Sequence, residues 1–182
     1  MTSPANTAAE IVVTGLPGGT RGELRAGNLH FPCALGRAGV SADKREGDGG
    51  TPLGSFLLRE LRYRQDRMTP PATALPLVPI APSDGWCDAP EDPAYNRPVR
   101  LPYPASAETM WRDDHLYDLV VVLGHNDDPV TPYAGSAVFF HLAREEGGQL
   151  QPTEGCVALR LDAMLRVLAL CGTQTRMRIE EA

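Results

Sequence analysis

Proline limits what this chain can become more than any other residue. Ten of its seventeen prolines fall between residues 69 and 104. Proline fixes φ and offers no donor to a ladder, so a central strand or helix is not expected in this stretch. It is not low-complexity either, because Trp86, Tyr95 and Tyr103 are interspersed and can anchor packing. Residues 69–104 therefore read as a long, ordered excursion lying over the rest of the domain. Loops of this length inside a compact domain are functional or disordered. Its aromatics either shape a substrate channel or staple the excursion to the core. Arg97 and Arg100 are its candidate carboxylate binders.

The remaining segments read mainly as strands. Ile11-Val12-Val13 begins one, and residues 24–31 read as a hairpin with Gly27-Asn28 as the turn. His30 alternates outward from Leu29 and Phe31 and is expected at the surface. A third strand runs through Pro32-Cys33-Ala34-Leu35, and a fourth through Ser55-Phe56-Leu57-Leu58, followed by a polar stretch of undefined form over 59–67. Leu119-Val120-Val121-Val122-Leu123 is the continuous apolar run of a central strand buried on both faces. Thr175-Arg176-Met177-Arg178-Ile179-Glu180 alternates strictly and closes the chain as a half-exposed strand. Two helices are expected. A short one over residues 106–111 is capped by Ser106. A longer one over 161–172 has Asp162 as N-cap, Gly172 as stop, and Leu161, Leu165 and Leu168 on one face. Many strands, few helices and one Pro-rich loop predict a mainly β sandwich or barrel-like domain with one or two covering helices. A length of 182 residues suits one domain over 1–182, with residues 1–9 expected to fray.

Charge and cysteine usage narrow the function. A net charge of -6 with no basic block argues against nucleic acid as a partner. No apolar run is long enough to cross a bilayer. Residues 1–10 lack a basic n-region and an apolar h-region, so no signal peptide is expected there. Cys33, Cys87, Cys156 and Cys171 form no CxxC pair and no zinc spacing. Cys33 and Cys171 are expected to fill the core.

The chemistry-bearing residues cluster late. His141 ends the apolar run Ala137-Val138-Phe139-Phe140, bounded by Gly135-Ser136; Cys156 follows Gly155 and opens Val157-Ala158-Leu159. Two buried strands joined by the polar loop 144–151 can bring an imidazole and a thiol together. That pair is the minimum machinery of thiol nucleophilic catalysis. With Cys156 as a working thiol, a fully paired disulfide framework is impossible. A rival reading places a metal among Asp113, Asp114, His115 and the Gly124-His125-Asn126-Asp127 loop, but no HExxH pair supports it and turns favour these residues anyway. His125 lies at a strand end, where it can face the site as a second polar group. Residues 43–50, charged and glycine-rich, lack the ending of a P-loop. They are either a mobile surface loop or a groove wall on which Lys44 or Arg45 meets a peptide carboxylate.

Three stretches taken in order carry a family resemblance: Glu46-Gly47-Asp48-Gly49-Gly50-Thr51-Pro52-Leu53-Gly54-Ser55-Phe56, then Gly135-Ser136-Ala137-Val138-Phe139-Phe140-His141, then Thr153-Glu154-Gly155-Cys156-Val157-Ala158-Leu159. Together they resemble the YkuD-type L,D-transpeptidase catalytic domain, over roughly residues 45–161. That family carries a Thr-Pro-x-Gly-x-Phe strand, a histidine at a strand end, and Ser/Thr-His-Gly-Cys some fifteen residues on. Two positions depart from it. Glu154 stands where the family has histidine, and Ala158 where it has arginine, with Arg160 the nearest substitute. The sequence thus looks like a divergent branch in which Trp86 and Tyr95-Asn96 also recur.

The resemblance implies two-step acyl transfer without metal or organic cofactor. Cys156 attacks a carbonyl of a peptidoglycan stem peptide, and an amine of a second stem resolves the thioester. His141 is the base, oriented by a main-chain carbonyl at or near Leu142, and backbone N–H groups near Gly155-Cys156 stabilise the oxyanion. Glu154, Arg160, Arg97, His125 and Tyr95 are the expected substrate contacts, with Glu154 meeting the ammonium of meso-diaminopimelate. The linkage joins the third residues of two stems or, in a divergent branch, the first of one to the third of another. Hydrolysis of the same thioester by an L,D-carboxypeptidase or endopeptidase is the nearest alternative, and a non-catalytic wall-binding module is another. The resemblance further implies a monomer acting in the periplasm or cell envelope, in cell wall biogenesis and cell shape.

Overall fold

Every residue of Leu119–Leu123 is buried, as its unbroken apolar run requires, and its two faces meet different partners. The computed structural model, which describes residues 10–182, places this strand in a ring of eight. These are β1 (Glu10–Gly15), β2 (Arg21–Ala26), β3 (Leu29–Ala34), β4 (Gly54–Tyr63), β5 (Leu119–Leu123), β6 (Phe139–Leu142), β7 (Val157–Leu159) and β8 (Arg176–Glu181). They run in the order β5-β6-β7-β3-β2-β1-β8-β4, and β4 pairs back onto β5, so the sheet closes as a barrel. Closure leaves these strands no free edge to manage. Pairs β6–β7 and β1–β8 are parallel, the other neighbours in the ring antiparallel.

Alternation along each strand sorts residues between two clusters. Leu119, Val121 and Leu123 of β5 face inward, with Phe140 and Leu142 of β6 and Val157 and Leu159 of β7. Ile11, Val13, Leu24 and Met177 fill the same interior, and helix α1 (Leu161–Leu168) adds Ala163, Met164, Val167 and Leu168. Val120, Val122 and Phe139 face outward instead. There they pack with Ile80, Trp86, Met110 and Tyr117 from the excursion and the strand entry. Against the expectation of no central strand in residues 69–104, the excursion holds a small sheet in which the proline-free Asp84–Cys87 lies between Pro98–Arg100 and Ala107–Thr109. Its prolines sit at strand ends or between strands, where no ladder donor is needed. Trp86 and Tyr95 are buried and bound: Trp86 Nε1 donates to Asn96 Oδ1 at 2.9 Å. Of the two roles open to these aromatics, the structure gives them the staple.

The fold is mainly β and barrel-like, with one short helix, as the sequence predicts. Four local expectations are corrected. Residues 106–111 form no helix: Ala107–Thr109 is a strand, because Asp84–Cys87 offers it an antiparallel partner and overrides its helical look. The N-cap of α1 is Arg160, without a side-chain cap, while Asp162 lies in the first turn and Ala169 is the C-cap. Its buried face is Ala163, Met164, Val167 and Leu168, whereas Leu161 and Leu165 are exposed. The polar stretch after Leu58 continues β4 to Tyr63, with Arg62 bonded to Glu60 at 2.6 Å and stacked on Trp86. The hairpin turn at Gly27, the exposed His30 and the buried Cys33 and Cys171 stand as expected. Residues 1–9, expected to fray, lie outside the described residues.

Candidate active site

The parallel pairing of β6 with β7 sets Phe140 beside Val157 and His141 beside Ala158. Phe140 and Leu142 point into the barrel, so Phe139 and His141 point out. Cys156, one residue before Val157, falls opposite Phe139 and also belongs to the outer cluster. Thiol and imidazole therefore emerge on one face, offset by two residues of strand rise, about 6–7 Å. Both line one cavity of about 440 Å³ between the barrel wall, the excursion and the loop 43–50.

The turn that presents Cys156 is fixed from both sides. Thr153 Oγ1 accepts the Gly155 N–H at 3.1 Å and donates to the Cys156 carbonyl at 2.7 Å. The buried Thr51, from the early Thr-Pro-x-Gly-x-Phe stretch, accepts the Gly36 N–H at 2.8 Å and donates to the same carbonyl at 3.5 Å. The two motifs, distant in the chain, thus meet behind the sulfur. Gly155 has φ +138, and a Cβ there would stand 2.8 Å from the Gly50 carbonyl oxygen. Only glycine fits that backbone and that approach.

In front, the sulfur accepts the Phe139 N–H at 3.3 Å and donates to the Ala137 carbonyl at 3.3 Å. Ala137 sits at φ +51, a left-handed conformation that costs a residue with a Cβ about 1–3 kcal/mol. Asn96 helps to hold it there. Asn96 Oδ1 accepts the Ala137 N–H at 3.1 Å, while its Nδ2 donates to the carbonyls of His125 and Asn126. The excursion thereby sets the backbone on which the thiol rests.

His141 is buried, and its Nδ1 bonds the Leu142 carbonyl at 2.8 Å. A carbonyl only accepts, so Nδ1 carries the hydrogen and Nε2 keeps its lone pair. Burial drives the His141 pKa down to about 4, against the opposing pull of the Leu142 carbonyl. Burial pushes Cys156 up to about 12, with the Glu108 carboxylate raising it further and the Phe139 N–H lowering it. At neutral pH the pair rests as thiol and neutral imidazole, not as an ion pair. The sulfur's own hydrogen bonds run to the backbone.

The expected contacts divide sharply. Gly155 and Glu154 line the cavity with Cys156 and His141. Glu154, 82% exposed, bonds Arg37 at 2.8 Å on the rim. Tyr95 stands behind the wall, its hydroxyl donating to Glu46 and accepting the Gly135 N–H at 3.1 Å. His125 bonds the Ala134 carbonyl at 2.9 Å and packs edge-on to Phe56, off the cavity wall. Arg97 donates to the Asp127 carbonyl, and Arg160 to Glu145 and the Gly148 carbonyl; neither reaches the cavity. Lys44 does line it.

Asp88, Glu108, Arg112 and Tyr117 also line the cavity and belong to no sequence motif, while Glu46 lines it from the first of the three motif stretches. Tyr117 packs edge-on to His141, ring centroids 5.3 Å apart, and its hydroxyl donates to Glu108. Only the position of Tyr117, two residues before a central strand, was a signal. As for metal, no group of three or more His, Cys, Asp and Glu among the described residues is arranged to hold an ion. His115 bonds Asp118 and Asp114 bonds Arg112. No helix among the described residues is long and apolar enough to cross a membrane.

Residues 11–179 match the YkuD family model, described as the L,D-transpeptidase catalytic domain. Comparison with curated proteins returns no match, and comparison with solved structures returns none.

Proposed function

The chain belongs to the YkuD family of L,D-transpeptidase catalytic domains, and from that premise we propose that it joins peptidoglycan stem peptides through a thioester on Cys156. The observation that carries this reading is the shared face and shared cavity of Cys156 and His141.

The resting charges dictate the order of events. Since thiol and imidazole are both neutral at rest, proton transfer accompanies attack rather than preceding it. His141 Nε2 takes the thiol proton as the sulfur adds to a stem-peptide carbonyl. The Gly155 N–H is committed to Thr153 Oγ1, so the Cys156 N–H is the nearer donor for the oxyanion. His141 then protonates the departing amine, and the C–N bond breaks to leave the thioester. An acceptor amine gives its proton to His141 and attacks in turn; the sulfur leaves and recovers the proton. One amide is exchanged for another, and the balance needs no further reactant.

The donor carbonyl belongs to the third residue of the stem held on Cys156 or, in this branch, to its first residue, and the acceptor amine belongs to the third residue of a second stem. The enzyme works as a monomer in the cell envelope. Arg97, Arg160 and His125 can then meet only parts of a substrate that extends beyond the cavity. Incubation with defined muropeptides, followed by mass analysis, tests the reading. Crosslinked dimers are expected from the wild type and none from Cys156→Ala. Shortened stems without dimers assign a carboxypeptidase or endopeptidase instead. Unchanged muropeptides overturn the enzymatic reading.

A further inference from the structure

The cavity beside Cys156 carries charges of both signs, and they are balanced unequally. Each lining cation has a local partner. Lys44 Nζ is held by Asp48 and the Arg45 carbonyl; Arg112 grips Asp114 through bonds of 2.9 and 2.6 Å; Arg144 pairs with Glu146 at 2.7 Å. The inner carboxylates are met mainly by neutral groups. Glu46 receives the hydroxyls of Tyr95 and Ser136. Asp88 Oδ1 is sealed from solvent with no hydrogen-bond partner among the described residues. Glu108 receives the Tyr117 hydroxyl, while the nearest Arg112 nitrogen stays 4.0 Å away.

Glu108 is the carboxylate joined to the chemistry. Its partner Tyr117 lies edge-on to both His141 and Phe139, at 5.3 and 5.9 Å, so the tyrosine bridges the carboxylate and the base. After burial, the charge of Glu108 is the leading influence that holds the Cys156 proton in place. The cations of the wall are each taken up by a local partner, whereas its carboxylates are left with mainly neutral neighbours, which is the complement of an ammonium, with three donors and no acceptor. Among the described residues no trio of carboxylates and imidazoles is arranged to hold a metal ion, and a cationic group of the ligand suits these carboxylates.

We propose that Glu108, presented by Tyr117, receives a primary ammonium group of the bound stem peptide and is the specificity-determining residue of this cavity. This rests on the reading of the cavity as an L,D-transpeptidase site. Glu154, the nearer acid in sequence, is committed to Arg37 on the rim. An ammonium set against Glu108 offsets the carboxylate's field at the sulfur, so a correctly charged peptide also makes the thiol easier to deprotonate. The site thereby couples recognition to activation.

Binding and chemistry are measured separately. Binding uses the unreactive Cys156→Ala protein and a stem tetrapeptide with meso-diaminopimelate, against the same peptide acetylated on its side-chain amine. The charged peptide is expected to bind about tenfold tighter or more. Adding Glu108→Gln, which keeps an acceptor for Tyr117, is expected to erase that preference. Equal binding of the two peptides to Cys156→Ala, which needs no change at Glu108, overturns the proposal. So does a preference that survives Glu108→Gln. Acylation of wild-type Cys156 is followed by intact mass in parallel. Its failure with binding preference intact contradicts the transpeptidase reading and leaves the ammonium subsite standing.

Discussion

The inner and outer faces of β6 and β7 share one backbone and serve opposite ends. Inward, Phe140, Leu142, Val157 and Leu159 pack in the apolar interior, among mainly aliphatic and aromatic side chains and two thiols. Outward, two residues along the same strands, His141 and Cys156 meet a cavity walled by charged groups and by backbone N–H and carbonyl groups. Burial does not separate the two faces. Burial pushes Cys171 and Cys33, inside the barrel, up to about 12, and it does the same to Cys156 outside. What marks Cys156 is its company: an imidazole with a free lone pair on the same face, Ala137 at positive φ, and the Glu108 carboxylate, whose nearest Arg112 nitrogen is 4.0 Å away. A buried thiol is ordinary; one that shares a face and a cavity with an imidazole fits the nucleophile proposed above.

Changes on the outer face should therefore remove chemistry and spare the fold. His141→Gln is expected to slow acylation of Cys156 by about 10²–10⁴-fold, the usual worth of a general base. Its melting temperature at neutral pH should change little, since a neutral ring is replaced by a neutral amide that can still donate to the Leu142 carbonyl. Equal acylation rates would break the comparison. On the inner face Phe140→Ala should do the reverse, costing about 3–5 kcal/mol in denaturant unfolding. Protein that still folds should keep a nucleophilic Cys156.

Acid sharpens the contrast. The folded His141 pKa is about 4 against about 6.5 when unfolded, so the unfolded chain takes the proton first as pH falls. Stability is unaffected by this group above about pH 6.5 and is lost as pH drops toward 4. The loss reaches about 3 kcal/mol. Unfolding curves across that range should show the decline, and His141→Gln should flatten its share of it. The smallest effect belongs to the rim. Glu154→Gln breaks only an exposed pair with Arg37 and should leave the melting temperature unchanged. A large drop in acylation from that change would move the rim into the site.

What the sequence discloses follows from how local each signal is. β5 announces itself through five apolar residues, the hairpin through Gly27-Asn28, and the excursion through its prolines. Cys156 and His141 are legible because each ends or begins a short apolar run beside glycine. Glu108, Arg112 and Tyr117 are not, since they reach the cavity only when the excursion folds over the closed barrel. Glu108 also sits in a segment with helical looks that becomes a strand by pairing with Asp84–Cys87. Glu154 misleads in the other direction. It lies two residues before Cys156 in the chain, yet at the intervening Gly155 the backbone takes φ +138, and the carboxylate lies out on Arg37. Adjacency in the chain says little about adjacency at a turn of that kind.

The most direct measurement is of the covalent intermediate itself. A stem tetrapeptide is mixed with the protein, the reaction is quenched in acid within one turnover, and the mass shift is mapped by proteolysis. The account predicts one acyl group on the peptide containing Cys156, released by hydroxylamine as a thioester is and absent from Cys156→Ala. An acyl group on another residue, or crosslinked products formed equally well by Cys156→Ala, would contradict it.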